Sequence, residues 1–376
     1  MNLKYGLISA DDHVQEHPDV WTSRMSKEKW GDSIPHIERS ADGNDSWLID
    51  GRDIGFPAPA LTSKTPDERR KEPTKWDDVP PVAYDPQERI KAMDLDQVDY
   101  SVLYPSVAGL AAEAFGRIGD TDLELACVRA YNDWLIEEWA SVSHRFVPQC
   151  IVPIWPMQRT VEEIQRAVSK GHKGVIYPAS PMELREVPHI NDPAYDPLWA
   201  TCQEMNLPIC FHAGASPKIQ LKPSDGFPPP AAAAFRSIVR SVSSIAVLAN
   251  FLFSKVLYRF PNLKVVFAES SLGWGAYELE YADYQSDADG LQSEGYTLRP
   301  SELFKRQCYV TCSYDRASLR VRRYLGSSNI LWATHFPLTT SSLSLTRQKV
   351  EERFAEVGTD EKALMLWRNA AQLYSL

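Results

Sequence analysis

The chain has 376 residues, 44% of them hydrophobic and 24% charged, with a formal net charge of −10 and a pI near 5.4. That composition suits a sizeable core, and an acidic balance with no basic stripe argues against nucleic acid or an anionic membrane surface as a partner. The opening Met1-Asn2-Leu3-Lys4-Tyr5 lacks the apolar run of a signal peptide, and six cysteines (Cys127, Cys150, Cys202, Cys210, Cys308, Cys312) form no C-x-x-C pair. Reduced thiols in a cytoplasmic protein are expected.

In chain order, eight short apolar runs read as strands: Tyr5–Ala10, Tyr100–Pro105, Phe146–Ile154, Gly174–Pro178, Leu207–His212, Leu263–Ala268, Gln307–Cys312 and Asn329–Thr334. Several are continuously apolar, as strands covered on both faces are. Between most of them lie helical patterns. One opens at Asp85-Pro86 and runs to about Gln97; others cover 122–142, 160–170 with Gly171 as a stop, 196–205, 231–260, 273–284 and 317–325, and two more close the chain at 343–356 and 361–373. The apolar stretch 241–254 is shorter than the ~20 residues of a membrane span and reads as a buried helix. Eightfold strand–helix alternation, with no G-x-G-x-x-G after any strand, predicts a (β/α)8 TIM barrel rather than a doubly wound open sheet. The expectation is one barrel domain over residues 1–376, with insertions at 21–84 in the first strand–helix loop and 213–230 in the fifth. Both loops would lie on the carboxyl-terminal face, where barrel active sites are built. The first carries Trp21, Trp30, Trp47 and Trp76, more aromatic surface than a solvated loop needs, so packing over the pocket mouth or on a second subunit is expected, with a homo-oligomer favoured.

The strand ends carry the chemistry. Side chains two apart on a strand share a face, so Asp11 and His13 project together after the first run, with Asp12 turned away. The fifth run ends in His212, the sixth in Glu269 and the eighth in His335. A barrel gathers these ends around one pit. Two imidazoles and a carboxylate make a common divalent-metal site that activates water and polarises a carbonyl, and the remaining groups can move protons. Tyr104, Trp155 and Tyr177 lie near strand ends and are candidates for the substrate-binding floor, with core packing equally open for each.

The stretches Ile8-Ser9-Ala10-Asp11-Asp12-His13-Val14-Gln15-Glu16, Tyr131-Asn132-Asp133-Trp134-Leu135, Phe211-His212-Ala213-Gly214, Phe260-Pro261-Asn262-Leu263-Lys264-Val265-Val266-Phe267, Gly273-Trp274 and Asn369-Ala370-Ala371-Gln372-Leu373-Tyr374 resemble the amidohydrolase superfamily. The likeness is to the branch that contains amino-carboxymuconate-semialdehyde decarboxylase, the resorcylate decarboxylases and the amidohydrolase 2 proteins, and it spans nearly the whole chain. The resemblance implies a barrel in which Asp11, His13 and His212 hold about one divalent ion, zinc or manganese first and iron as a further candidate. It places Glu269 where the decarboxylases have a catalytic histidine. His335 stands where a pattern like W-G-S-D-Y-P-H has its aspartate, and Leu338 where that pattern has its histidine. Glu269 and His335 are therefore expected to divide the remaining ligand and acid/base roles.

The expected activity is metal-dependent hydrolysis of a small cyclic or aromatic substrate: cleavage of a C–N or C–C bond, or displacement of an amino, halide or nitro group. Nonoxidative decarboxylation of an aromatic or enoic acid is the alternative within enzymes. A barrel without catalysis, serving as a binding or assembly subunit, is the alternative of another class.

Overall fold

The computed structural model describes residues 3–57, 73–214, 226–271, 273–313, 315–338, 341 and 344–376. Eight parallel strands form its centre: β1 (Ile8–His13), β2 (Tyr100–Tyr104), β3 (Phe146–Pro148, resuming as Cys150–Ile151), β4 (Val175–Ile176), β5 (Pro208–His212), β6 (Lys264–Ala268), β7 (Cys308–Cys312) and β8 (Ile330–Trp332). Hydrogen bonding runs β1-β2-β3 on one arc and β3 through β8 on the other, the break falling at Gln149. The ring continues from β8 to β1 through backbone bonds just beyond β8: His335 N–H donates to Asp11 O at 3.0 Å, and His13 N–H to Phe336 O at 2.7 Å. The fold is the α/β barrel expected from the alternation.

The helices follow the capping chemistry of the sequence. Asp85 accepts from the N–H groups of Gln87 and Glu88 and opens Pro86–Asp96; Gly171, at φ 119°, ends Met157–Lys170. A further helix, Pro300–Gln307, escaped the sequence reading, although Pro300 occupies its first turn and Glu302 accepts from Arg299 N–H. With Val256–Arg259 a separate short helix, the long helix expected at 231–260 runs Pro229–Phe253. Its second half packs inward through Leu248, Phe251 and Leu252, while Ile238 is 74% exposed. Residues 234–253 of this helix are long and apolar enough to cross a membrane, a test that the core helix of a soluble protein also passes.

The first insertion folds on its own barrel. It forms a three-stranded antiparallel sheet, His36–Arg39, Asp45–Ile49 and Arg52–Asp53, which the sequence reading did not anticipate. Trp21 and Trp47 are fully buried, edge to face at 5.5 Å, and Trp21 meets Phe115 at the same distance and angle. These two aromatic surfaces are thus spent inside the chain, which removes them as an argument for a subunit contact. Ile54 and Pro57 reach the cavity described below, so the insertion does contribute to the pocket mouth. Of the second insertion, 215–225 lies outside the described residues.

Candidate metal centre and substrate pocket

At the carboxyl end of β1 the register shifts between Ser9 and Asp12, a bulge of the kind that re-aims side chains beside functional sites. Asp11 and His13 turn inward together, as strand alternation requires. The strand itself includes Asp11-Asp12-His13, three residues beyond the expected end. From β5 comes His212. The candidate ligand atoms of Asp11, His13 and His212 all lie within 4.8 Å of one another, and all three residues are buried. Asp11 Oδ1 is 3.5 Å from His13 Nε2 and 3.6 Å from His212 Nε2.

The other two expected residues join them. His335 Nδ1 lies 3.6 Å from Asp11 Oδ2 and 3.8 Å from Glu269 Oε1, and Glu269 Oε2 lies 3.8 Å from His212 Nε2. Both residues stand in left-handed backbone, φ 48° for Glu269 and 57° for His335. That conformation costs a non-glycine residue about 1–3 kcal/mol. Tertiary bonds hold it: Glu269 N–H donates to Thr311 Oγ1 at 2.8 Å, and His335 N–H to Asp11 O.

Both oxygens of Asp11, the Nε2 atoms of His13 and His212, and His335 Nδ1 are buried without a hydrogen-bond partner. Buried polar atoms are nearly always satisfied, so orphans from four residues facing one point are the mark of a cation site. The imidazoles are oriented for it. His13 Nδ1 faces Pro105 O at 3.3 Å and His212 Nδ1 faces Ala213 O at 2.8 Å, which assigns the proton to Nδ1 and leaves the Nε2 lone pairs inward. Burial pushes His13 down to about 4, against the pull of Asp11, so it is neutral near pH 7. For His212 burial acts in the same direction, but Asp11 and Glu269 outweigh it and raise the imidazole. Burial likewise opposes charge on Asp11, yet His335, His212 and His13 hold its carboxyl below the usual range. The donor set fits a divalent cation.

Asp12, turned away as predicted, ties the barrel together behind the site. It accepts from Ser9 Oγ at 2.8 Å, Ser101 Oγ at 2.5 Å, Phe336 N–H at 3.0 Å and the Thr334 hydroxyl. Arg89, buried behind β1, donates to His13 O at 2.7 Å and lies over the Phe336 ring at 4.7 Å. The sequence reading missed Arg89 and also Glu16. Glu16 accepts from the backbone N–H groups of Ser106, Val107 and Ala108 and so fixes the loop after β2. Its place in the quoted run after His13 was the available signal.

That loop walls a cavity of about 340 Å3, bounded by His13, Ile54, Val107, Leu110, Glu113 and Leu338 among others. No lysine or arginine is among the described lining residues. Tyr104 floors the metal cluster, its ring 5.9 Å from His13 and 5.3 Å from His212. Trp155 and Tyr177 instead pack on Tyr195, and none of the three candidates, Tyr104 included, is among the described lining residues; Tyr177 is wholly buried, its hydroxyl donating to Ile154 O at 2.8 Å.

Against known proteins, residues 35–376 match the family model described as amidohydrolase, a span that begins after Asp11 and His13. No curated protein matches. Among solved structures, an amidohydrolase from Mycobacterium avium subsp. paratuberculosis K-10 superposes with a TM-score of 0.81 at 20% identity, covering 99% of this chain and 100% of that one. The 5-carboxyvanillate decarboxylase of Sphingomonas paucimobilis gives 0.65 at 19% identity, over 98% and 99% of the two chains. A dihydroxybenzoic acid decarboxylase from Polaromonas sp. JS666, solved with bound manganese and the inhibitor 2-nitroresorcinol, gives 0.63 at 16% identity, over 100% and 98%.

Proposed function

The chain belongs to the amidohydrolase family, and from that premise we propose that it is a divalent-metal enzyme that decarboxylates a small ring acid without an oxidant. The observation that carries this reading is the set of orphaned atoms on Asp11, His13, His212 and His335 beside a mostly apolar cavity. Asp11, His13 and His212 hold the ion, with manganese favoured because the Polaromonas decarboxylase binds it. Bound there, a divalent ion would anchor the substrate's carboxylate and draw electron density from the ring.

The remaining steps belong to the chain. Glu269 gives a proton to the ring carbon, and the electron pair of the breaking C–C bond becomes the new C–H bond. Carbon dioxide leaves uncharged, which an apolar cavity favours more than the carboxylate it came from. Glu269, only 10% exposed, is reprotonated by solvent or through His335 at 3.8 Å. Tyr104 fixes the imidazole faces from below.

Hydrolysis is the second reading, favoured by the same Glu269–His335 pair, which is as well placed to accept a proton from water. The two are separated on protein purified without chelator, its metal measured by mass spectrometry, then offered hydroxylated benzoates and ring amides in 18O-labelled water. Carbon dioxide with unlabelled product is the expected result. Labelled product without carbon dioxide establishes hydrolysis, and full activity in metal-free protein overturns both. His212→Ala should lower metal occupancy.

A further inference from the structure

Resting on the ring-acid reading, we propose that Glu113 is the specificity-determining residue of the pocket: its carboxylate receives a hydrogen-bond donor, hydroxyl or amino, carried by the substrate ring. His13 and Glu113 both border the cavity, so the ion site and a second polar group face one small space. Most of the wall between them is apolar: Ile54, Val107, Leu110 and Leu338. At about 340 Å3 the space is at the small end of the ~300–1,000 Å3 range for small-molecule sites, which fits a single substituted ring.

The carboxylate is placed there by its own loop. Gly109 has φ +92°, and a Cβ at that position would lie 2.4 Å from Glu113 Oε2, so glycine is what leaves room for the carboxylate. Ala111 N–H donates to the same oxygen at 2.9 Å and fixes its direction. Glu16 pins the preceding residues 106–108 through their N–H groups, which keeps this side of the cavity rigid. Burial raises the Glu113 pKa. Backbone N–H groups around Ala111 meet part of the carboxylate, and no lysine or arginine among the described lining residues pairs its charge. A ring hydroxyl or amino group adds a donor to the lone pairs that remain. For the same reason a second acid group on the ring is rejected.

The test titrates manganese-loaded protein by calorimetry with benzoate, the three monohydroxybenzoates, the three aminobenzoates and benzene-1,3-dicarboxylate. The best hydroxy or amino isomer should bind at least ~10-fold tighter than benzoate, the low end for a hydrogen bond to a charged group. Glu113→Leu should bring the two within about 2-fold. Gly109→Ala, which displaces the carboxylate without removing it, should do the same, and Glu113→Gln keeps the side-chain shape if the leucine variant does not fold. An unchanged preference in a folded, metal-loaded variant reduces Glu113 to a loop cap and overturns the proposal. Equal binding of all monoacids by the wild type overturns it too, but spares the ring-acid reading. Binding of none of them by loaded wild type fails that reading first, before any variant is made.

Discussion

Two residues, Glu269 and His335, distinguish this site, and each sits in left-handed backbone at a strand end. Holding a non-glycine residue there is a cost that the surrounding bonds must offset, and here the bond partners are Thr311 and the Asp11 carbonyl. The two side chains face each other at 3.8 Å, and each also approaches one of the candidate metal ligands, so their roles divide experimentally rather than by position. Glu269→Gln keeps the size and the hydrogen-bonding oxygen but cannot donate a carboxyl proton. With Glu269 as the proton donor, turnover should fall at least ~10²-fold with metal content unchanged. Loss of metal together with rate would make Glu269 a ligand, and wild-type turnover would leave it a bystander. At this scale the sequence was legible where chemistry follows strand alternation: Asp11, His13, His212, Glu269 and His335 do meet. Glu113 was not legible, since nothing in Gly109–Glu113 resembles a motif and only folding brings that carboxylate to the cavity. Trp155 and Tyr177 sit close to strand ends, but their rings turn toward Tyr195, a choice of packing that sequence position does not decide.

Among the elements, the seam between β8 and β1 matters most, because it joins the two chain ends and carries both Asp11 and His335. The described backbone bonds there are few, and Asp12 reinforces them through the hydroxyls of Ser9, Ser101 and Thr334 and the Phe336 N–H. Asp12→Ala would strand those buried donors. A loss of about 3 kcal/mol is expected, in the range for breaking a buried polar network, readable as a lower midpoint in urea. Metal affinity should fall as well, since Asp11 and His335 lose their shared support. An unchanged midpoint would show that backbone bonds alone close the barrel. The eight strands were legible because continuous apolar runs bounded by turns have few other uses. Pro300–Gln307 was not, because a helix of eight residues running directly into β7 gives no loop to separate the two patterns. The sheet of the first insertion alternates over only a few residues, and the Asp42-Gly43 and Asp50-Gly51 turns between its strands were the available signal.

For the whole molecule, burial of titratable groups sets the pH dependence of stability, and Glu278 is the clearest case. It lies on the helix Gly275–Ala288, only 9% exposed, with no side-chain hydrogen-bond partner among the described residues and the Ala249 backbone facing its carboxylate. Burial pushes its carboxyl up to about 8, from 4.5 in an open chain. Between those values the unfolded chain has lost the proton that the folded chain keeps. The folded state therefore binds more protons there, and stability falls as pH rises from about 4.5 to 8. The buried imidazoles act the other way: burial lowers His13 and His172 to about 4, so stability is lost as pH falls from 6.5 through that value. Above pH 6.5 the Glu278 effect stands clear of both. Glu278→Gln cannot ionise, so the variant should gain on wild type as pH rises, by an amount on the order of a few kcal/mol by pH 8.5. At pH 5, just above the value of the open chain, only the first part of that gain, under about 1 kcal/mol, should be present. Taking variant minus wild type cancels the histidines, which are common to both. Midpoints in urea across pH 5 to 8.5 would measure it, and a difference that does not change with pH would mean that Glu278 is ionised in the folded chain through a partner that offsets its burial.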